Sequence, residues 1–222
     1  MMIGVVLAGG ASTRMKSPKA LARDRGGSFL SLGVRHLWSA CTTVVVVLGA
    51  NAASIQQAVE DEFTELAESG RLHADLAAAH HRGAAGFEVH FERNPKWKSG
   101  MLSSAQAGLR SALQFKPKGV LVLPVDHPAV KGATCIALAD MLREATAAYT
   151  PRERAKFAYA LVPRHKGRRG HPVALSPALA AAIAGDKGAH DLSDAVRRSA
   201  RLVGYLDVTD AGITRNVNRP GD

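Results

Sequence analysis

Aromatic residues are scarce in this 222-residue chain: six Phe, three Tyr and two Trp, 5% in all. Proteins that stack single-stranded bases draw on aromatic platforms, so that mode of binding is disfavoured. Cysteine is nearly missing. Cys41 and Cys135 lie far apart in apolar surroundings and form neither a metal-ligand spacing nor a disulfide framework, which fits a reducing, cytoplasmic setting. No basic segment leads into a long apolar stretch, and no run is long enough to cross a bilayer. Neither export nor a membrane span is expected. Acidic residues are outnumbered, 19 against 29 Lys and Arg, for a formal net charge of +10. Such an excess serves solubility or an anionic partner: a nucleotide, a phosphorylated metabolite or nucleic acid. The basic residues are spread along the chain without a recognised nucleic-acid motif, so no nucleic-acid partner is expected. Two common phosphate loops are also missing, the Walker pattern G-x-x-x-x-G-K-[ST] and the dinucleotide pattern G-x-G-x-x-G.

What is present is a chain that folds. Hydrophobic residues make up 46%, too many for a disordered protein, and the length suits one α/β domain. Strand-like runs alternate with helical spacing. Strands are expected at Ile3–Ala8, Thr42–Leu48 (a β-branched run buried on both faces), Glu88–Glu92, Gly119–Val125, Ala158–Pro163, Pro172–Leu175 and Leu202–Asp207. Helices are expected at Phe29–Ala40, from an N-cap at Asn51 to about Ser69, and at Met101–Phe115, Lys131–Tyr149, Ala178–Ala184 and Asp191–Ala200. This alternation implies a mainly parallel sheet flanked by helices. Residues 73–86, rich in Ala, His and Gly, read as a mobile surface segment, and the basic run Arg164–Gly170 as a loop or turn between strands.

In such sheets ligands sit beyond the carboxyl ends of the strands, and the chemically interesting residues cluster there. After the first strand come Gly9 and Gly10, whose missing side chains let a backbone bend approach a ligand, with N–H groups that can face an anion. Arg14 and Lys19 follow with positive charge for phosphates. Taken alone, the glycine pair is equally a simple turn. Asp126 closes another apolar strand and is the first choice for holding Mg²⁺, a hard cation that prefers oxygen; a turn aspartate is the plainer alternative. Ser103 and Ser104 fall in the first turn of a helix, where N–H groups and the helix dipole favour an anion, although Ser99 and Ser103 can equally cap that helix. Trp97 either closes over a base or packs. His171 suits positioning better than acid–base work. Asn218 is a second, weaker metal ligand. The other histidines, His80 and His81 included, lack partners at zinc-ligand spacing.

These segments, in this order, resemble the molybdenum-cofactor nucleotidyltransferases, the cytidylyltransferases first and the guanylyltransferases close behind. The resemblance rests on LAGGASTRM with Lys19, NPKWKSGMLSSAQAGL, LPVDHP, GRRGHPVAL, GDKGAH and NVNRPGD, and covers nearly the whole chain. It implies a single-domain, nucleotide-sugar-transferase-like (Rossmann-like) α/β fold. It also implies Mg²⁺-dependent transfer of CMP or GMP from CTP or GTP to the phosphate of a molybdopterin-type acceptor, with release of pyrophosphate. On this analogy Leu7, Ala8, Gly9, Gly10, Arg14 and Lys19 hold the nucleotide, Asp126 and Asn218 the metal, and Ser103, Ser104 and His171 the acceptor. A molybdoenzyme or chaperone would be the protein partner. The chain departs from the family pattern at Lys16, where glycine is usual, and after Asn218, where Arg219-Pro220-Gly221-Asp222 replaces the usual ending. Transfer to another small phosphorylated acceptor and non-catalytic nucleotide binding are the alternatives, with a basic nucleic-acid module behind them. Some relatives of the family are described as oxidoreductases, yet no recognisable flavin or nicotinamide loop is present here.

Overall fold

The computed structural model describes residues 1–10, 17–24, 26–72 and 88–217. Arg14, Asn218, the His80–His81 pair and the segment 73–86 lie outside them. The central sheet contains β1 (Met2–Ala8), β4 (Thr43–Leu48), β5 (Glu88–Arg93), β6 (Gly119–Pro124), β7 (Tyr159–His165), β8 (Arg168–Arg169), β9 (Val173–Leu175) and β10 (Leu202–Asp207). Its order is β10-β7-β9-β6-β1-β4-β5, with β8 on β7. β2 (Arg23–Asp24) and β3 (Gly27–Ser28) form a separate antiparallel ribbon. The helices are α1 (Phe29–Trp38), α2 (Ala52–Glu68), α3 (Met101–Gln114), α4 (Gly132–Ala147), α5 (Pro151–Arg154), α6 (Pro177–Gly185) and α7 (Leu192–Ser199).

The strand sequences explain the layering. Successive side chains point to opposite faces, so β1 and β4 deal their apolar residues to two cores. Val6, Ala8, Val44, Val46 and Leu48 pack with Leu30, Val34 and Leu37 of α1 and Leu138 and Leu142 of α4. Ile3, Val5, Leu7, Val45 and Val47 pack with Ala105 and Leu109 of α3, Leu179 and Ile183 of α6 and Ala195 of α7. Each fully buried Val or Leu contributes about 1.5–3 kcal/mol. Helices therefore cover both faces of the sheet. Cys41 and Cys135 belong to the first of these cores. Burial pushes both thiols up, Cys135 to about 12.

The expected architecture is present, with three local differences. First, β9 runs antiparallel to both β6 and β7, so the sheet is mixed at that point. Second, the basic run is a hairpin. Arg164 pairs with Arg169 and His165 with Arg168, and the two turn residues, Lys166 and Gly167, have φ of 48° and 78°, positive at both positions as in a type I′ turn. Third, Asn51 occupies the N-cap position of α2 but makes no side-chain capping bond, because its φ is 55°, in the left-handed region. Among the described residues no helix is long and apolar enough to cross a membrane.

Candidate functional site

The ends of β1, β4, β6, β7 and β10 share one edge of the sheet. β1 is parallel to both of its neighbours: Leu7 pairs with Val47 on one side and Pro124 on the other. Leu7 and Ala8 are buried, and the Leu7 carbonyl accepts the Val125 N–H at 3.1 Å. These two residues thus anchor the strand end; Gly9 is still buried, and the exposed surface begins at Gly10. A β-carbon on Gly9 would lie 2.7 Å from Ser104 Oγ, whereas one on Gly10 would meet nothing within 4 Å among the described residues. β4 ends in the same manner with Gly49, where a β-carbon would collide with the Gly9 carbonyl and with Trp97 Cβ. Trp97 therefore packs onto the Gly49 backbone, and Lys98 Nζ stands 5.5 Å from the centre of its ring.

Ser103 and Ser104 open α3 as expected, and a buried residue ties them together. Asn94, just past the end of β5, donates from Nδ2 to Ser103 Oγ at 2.9 Å and to Ser104 Oγ at 3.0 Å. Its Oδ1 accepts the Lys96 N–H at 3.0 Å. Ser103 Oγ lies 2.9 Å from the Lys96 carbonyl and 2.8 Å from the Gly100 carbonyl, so its hydroxyl serves the turn that leads into the helix. Ser104, buried against Gly9, belongs with the glycine pair.

On the β6 side, Asp126 follows the strand in a turn. Its Oδ1 accepts from His127 Nδ1 at 2.9 Å, and its Oδ2 lies 3.6 Å from Lys19 Nζ. Lys19 starts a 3-10 turn, Lys19–Leu21, after Pro18. Burial pushes the Asp126 carboxyl up, but the hydrogen bond and charge of His127, with Lys19 and His171 behind them, outweigh it and hold the carboxyl below its ordinary value. The turn is fixed from two sides: His36 Nε2 of α1 donates to the Pro128 carbonyl at 3.2 Å, and Val217 donates its N–H to the Asp126 carbonyl at 2.9 Å.

His171 reaches the same edge from the start of β9. Its ring meets that of His127 edge-on, with centroids 4.7 Å apart, and its backbone N–H donates to the Ile213 carbonyl at 3.0 Å. Gly170 is required beside it, because a β-carbon there would strike that carbonyl. His171 Nδ1 is buried and has no hydrogen-bond partner among the described residues. Burial, reinforced by His127 and opposed by Asp126, lowers the imidazole pKa to about 4, so the ring is neutral at physiological pH.

The structure thus brings Gly9, Gly10 and Ser104 together on one side of the edge, and Lys19, Asp126 and His171 on the other, with the β1–β6 pairing joining the two. Three residues with clear parts in this arrangement carried no assignment from sequence: Gly49, Asn94 and His127. The available signals were a second glycine ending a second apolar strand, an Asn-Pro after a third, and the imidazole next to Asp126.

A sheet of this order, with a glycine pair, a lysine and a carboxylate at its carboxyl edge, defines an α/β protein of the nucleotidyltransferase fold. The chain belongs to the family of the MobA-like NTP transferase domain, which it matches over residues 4–202, and is thereby a nucleotidyltransferase. It is 29% identical over 224 residues to nicotine blue oxidoreductase of Paenarthrobacter nicotinovorans, covering 97% of this chain and 91% of that one. Among solved structures it is similar to Rv0371c of Mycobacterium tuberculosis H37Rv (TM-score 0.68, 20% identity, 98% of this chain and 93% of that one), which has also been crystallised with manganese. It is similar as well to molybdopterin-guanine dinucleotide biosynthesis protein A of Archaeoglobus fulgidus (TM-score 0.58, 17% identity, 99% and 93% coverage). At these identities the structural likeness establishes the fold.

Proposed function

We propose that the chain transfers CMP or GMP from CTP or GTP to the phosphate of a molybdopterin-type acceptor. An acceptor phosphate oxygen attacks the α-phosphorus, the bond from that phosphorus to the α,β-bridging oxygen breaks, and pyrophosphate leaves with the electron pair. The attacking oxygen is already anionic, so no strong base is needed. What remains for the protein is alignment and neutralisation of charge.

The observation that carries this reading is the convergence of Gly9–Gly10, Lys19 and Asp126 on one edge. A backbone bend beginning at Gly10 would give a polyphosphate close access to N–H groups. Lys19, with Arg14, supplies positive charge. Asp126, an ionised carboxylate with Oδ2 3.6 Å from Lys19 Nζ, is the oxygen donor expected where Mg²⁺ is held by one or two carboxylates and substrate phosphates; Asn218 would add a neutral ligand. Bound Mg²⁺ would supply Lewis-acid stabilisation of the phosphates. His171, neutral and with an Nδ1 that has no hydrogen-bond partner among the described residues, would orient the acceptor, a part that the hydrogen bonds of Ser103 and the burial of Ser104 leave less open to the two serines.

The test is a thermal-shift panel of CTP, GTP, ATP and UTP with Mg²⁺, with NADPH, FMN and an oligonucleotide alongside, followed by pyrophosphate release in the presence of molybdopterin. Bound ligand raises the melting temperature by mass action. A shift with CTP or GTP, then acceptor-dependent pyrophosphate release, is expected. A shift with NADPH, FMN or the oligonucleotide and with no triphosphate overturns the proposal. Release with a sugar phosphate but not with molybdopterin moves the acceptor to another class.

A further inference from the structure

We infer that the β7–β8 hairpin and Tyr205 form a second anion-binding subsite, one that takes a negatively charged group of the acceptor distant from the bond being made. The inference rests on the reading above and deepens it, because it gives the acceptor a second anionic group.

The hairpin stands at the functional edge. Arg169 is two residues before His171, and in extended chain that is about 7 Å. Lys166, Arg168 and Arg169 are all exposed. The neighbouring strand β10 presents Tyr205, 41% exposed. The Arg164 guanidinium lies 5.5 Å from the centre of the Tyr205 ring and that of Arg169 6.0 Å. Arg164 is committed elsewhere, its Nε and Nη2 donating to both Asp207 carboxylate oxygens at 2.7 and 2.8 Å. That fork leaves little of its charge for a ligand, but it fixes the Arg164 guanidinium at the ring that Arg169 also approaches. Cation–π contact holds a guanidinium without occupying its N–H donors, so Arg169 is pre-oriented with its hydrogen-bonding edge available. A guanidinium held in this way suits phosphate or carboxylate better than a mobile ammonium does.

Position separates this cluster from the donor side. Strand order places β9 between β6 and β7, so the ends of β6 and β7 stand two strand spacings apart, about 10 Å. An anion on Arg169, which shares the sheet face of Arg164 and Tyr205, is thus a remote part of the substrate, where binding energy can serve orientation of the reacting phosphate.

The test uses NMR of the isotope-labelled full chain, following the Arg169 Nε–Hε and Tyr205 ring signals. Inorganic phosphate, methyl phosphate and pyrophosphate are titrated at constant ionic strength set with NaCl. Phosphate and methyl phosphate should move both signals to saturation. The R168A/R169A variant should weaken methyl phosphate at least fivefold on the Tyr205 signal, R168K/R169K should recover part of the loss, and R143A, on α4, should bind as wild type. Equal movement with NaCl alone overturns the inference. So does unchanged binding by R168A/R169A, or binding of pyrophosphate that CTP or GTP displaces, which would assign the cluster to the donor. A protein that binds methyl phosphate here yet shows no nucleotide-dependent thermal shift fails the nucleotidyl-transfer proposal and keeps the anion subsite. The opposite pattern does the reverse.

Discussion

Ser104 Oγ occupies the space that a β-carbon on Gly9 would need, the two lying 2.7 Å apart. The first residue of the glycine pair and the first turn of α3 are therefore one packed unit, and each limits what the other can be.

Gly9→Ala follows directly. The added methyl must push Ser104 aside, an overpacking change of about 1–3 kcal/mol. In a Ser104→Ala background the obstruction is gone, and at least half of that loss should be recovered. A double-mutant cycle on urea midpoints reads the coupling; additive single-variant losses would show that the two residues do not touch.

Asn94→Ala removes a side chain that is buried and bonded to two serines and the Lys96 N–H. Leaving those groups without partners costs about 1–3 kcal/mol. Asn94→Asp keeps the acceptor for Lys96 but loses the donor to the serines, and should fall between Ala and wild type. Denaturant unfolding separates the three, and an Ala variant as stable as wild type would remove Asn94 from the account of α3.

Asp126→Ala should lower transfer on the order of 10²-fold or more, the usual consequence of deleting a group that stabilises charge in the transition state. Stability should change by about 1 kcal/mol or less, because its pair with Lys19 is partly exposed. Pyrophosphate release and melting temperature are the two readouts; full activity in this variant excludes the carboxylate from the reaction.

The His171 imidazole binds its proton less readily when folded, with a pKa of about 4 against 6.5. Between those values the unfolded chain holds more protons, so stability rises with pH. The contribution is fully present above pH 6.5 and is lost as pH falls through 4, by up to about 3 kcal/mol. Asp126, held below its ordinary value of 3.8, adds a loss of the same sign mainly below this window. Unfolding free energies measured in chelator from pH 7 to 4 should slope less steeply for His171→Phe than for wild type. Parallel curves would mean that the ring is not buried in neutral form.

Much of this edge was legible before any coordinates. The β-branched and apolar runs of β1, β4 and β6 are long enough to need burial on both faces, and turn residues end them, so Gly9, Gly10 and Asp126 fell at strand ends by pattern alone. The hairpin was not legible. Its ladder is two residues long, its strands are basic and exposed, and its turn uses Lys166 at a φ more often taken by Asn, so neither alternation nor turn chemistry marked it. Asn94 and His127 were missed for a different reason. Their parts come from partners nine or ten residues away and one residue away, and side-chain bonding at those separations leaves no periodic trace.

The reversed strand β9 has one more consequence. A strand running against its neighbours brings its beginning, not its end, to the working rim, which is how the residues before Val173 arrive beside Asp126. The rim is also partitioned along the polypeptide: residues 9–10, 49 and 94–104 build one bank, and residues 164–171 and 205–207 line the far side of the other. Exchanging the short stretch from Arg164 to Pro172 with that of a homologue would remodel the far bank while leaving every residue of the near bank in its own, unaltered segment.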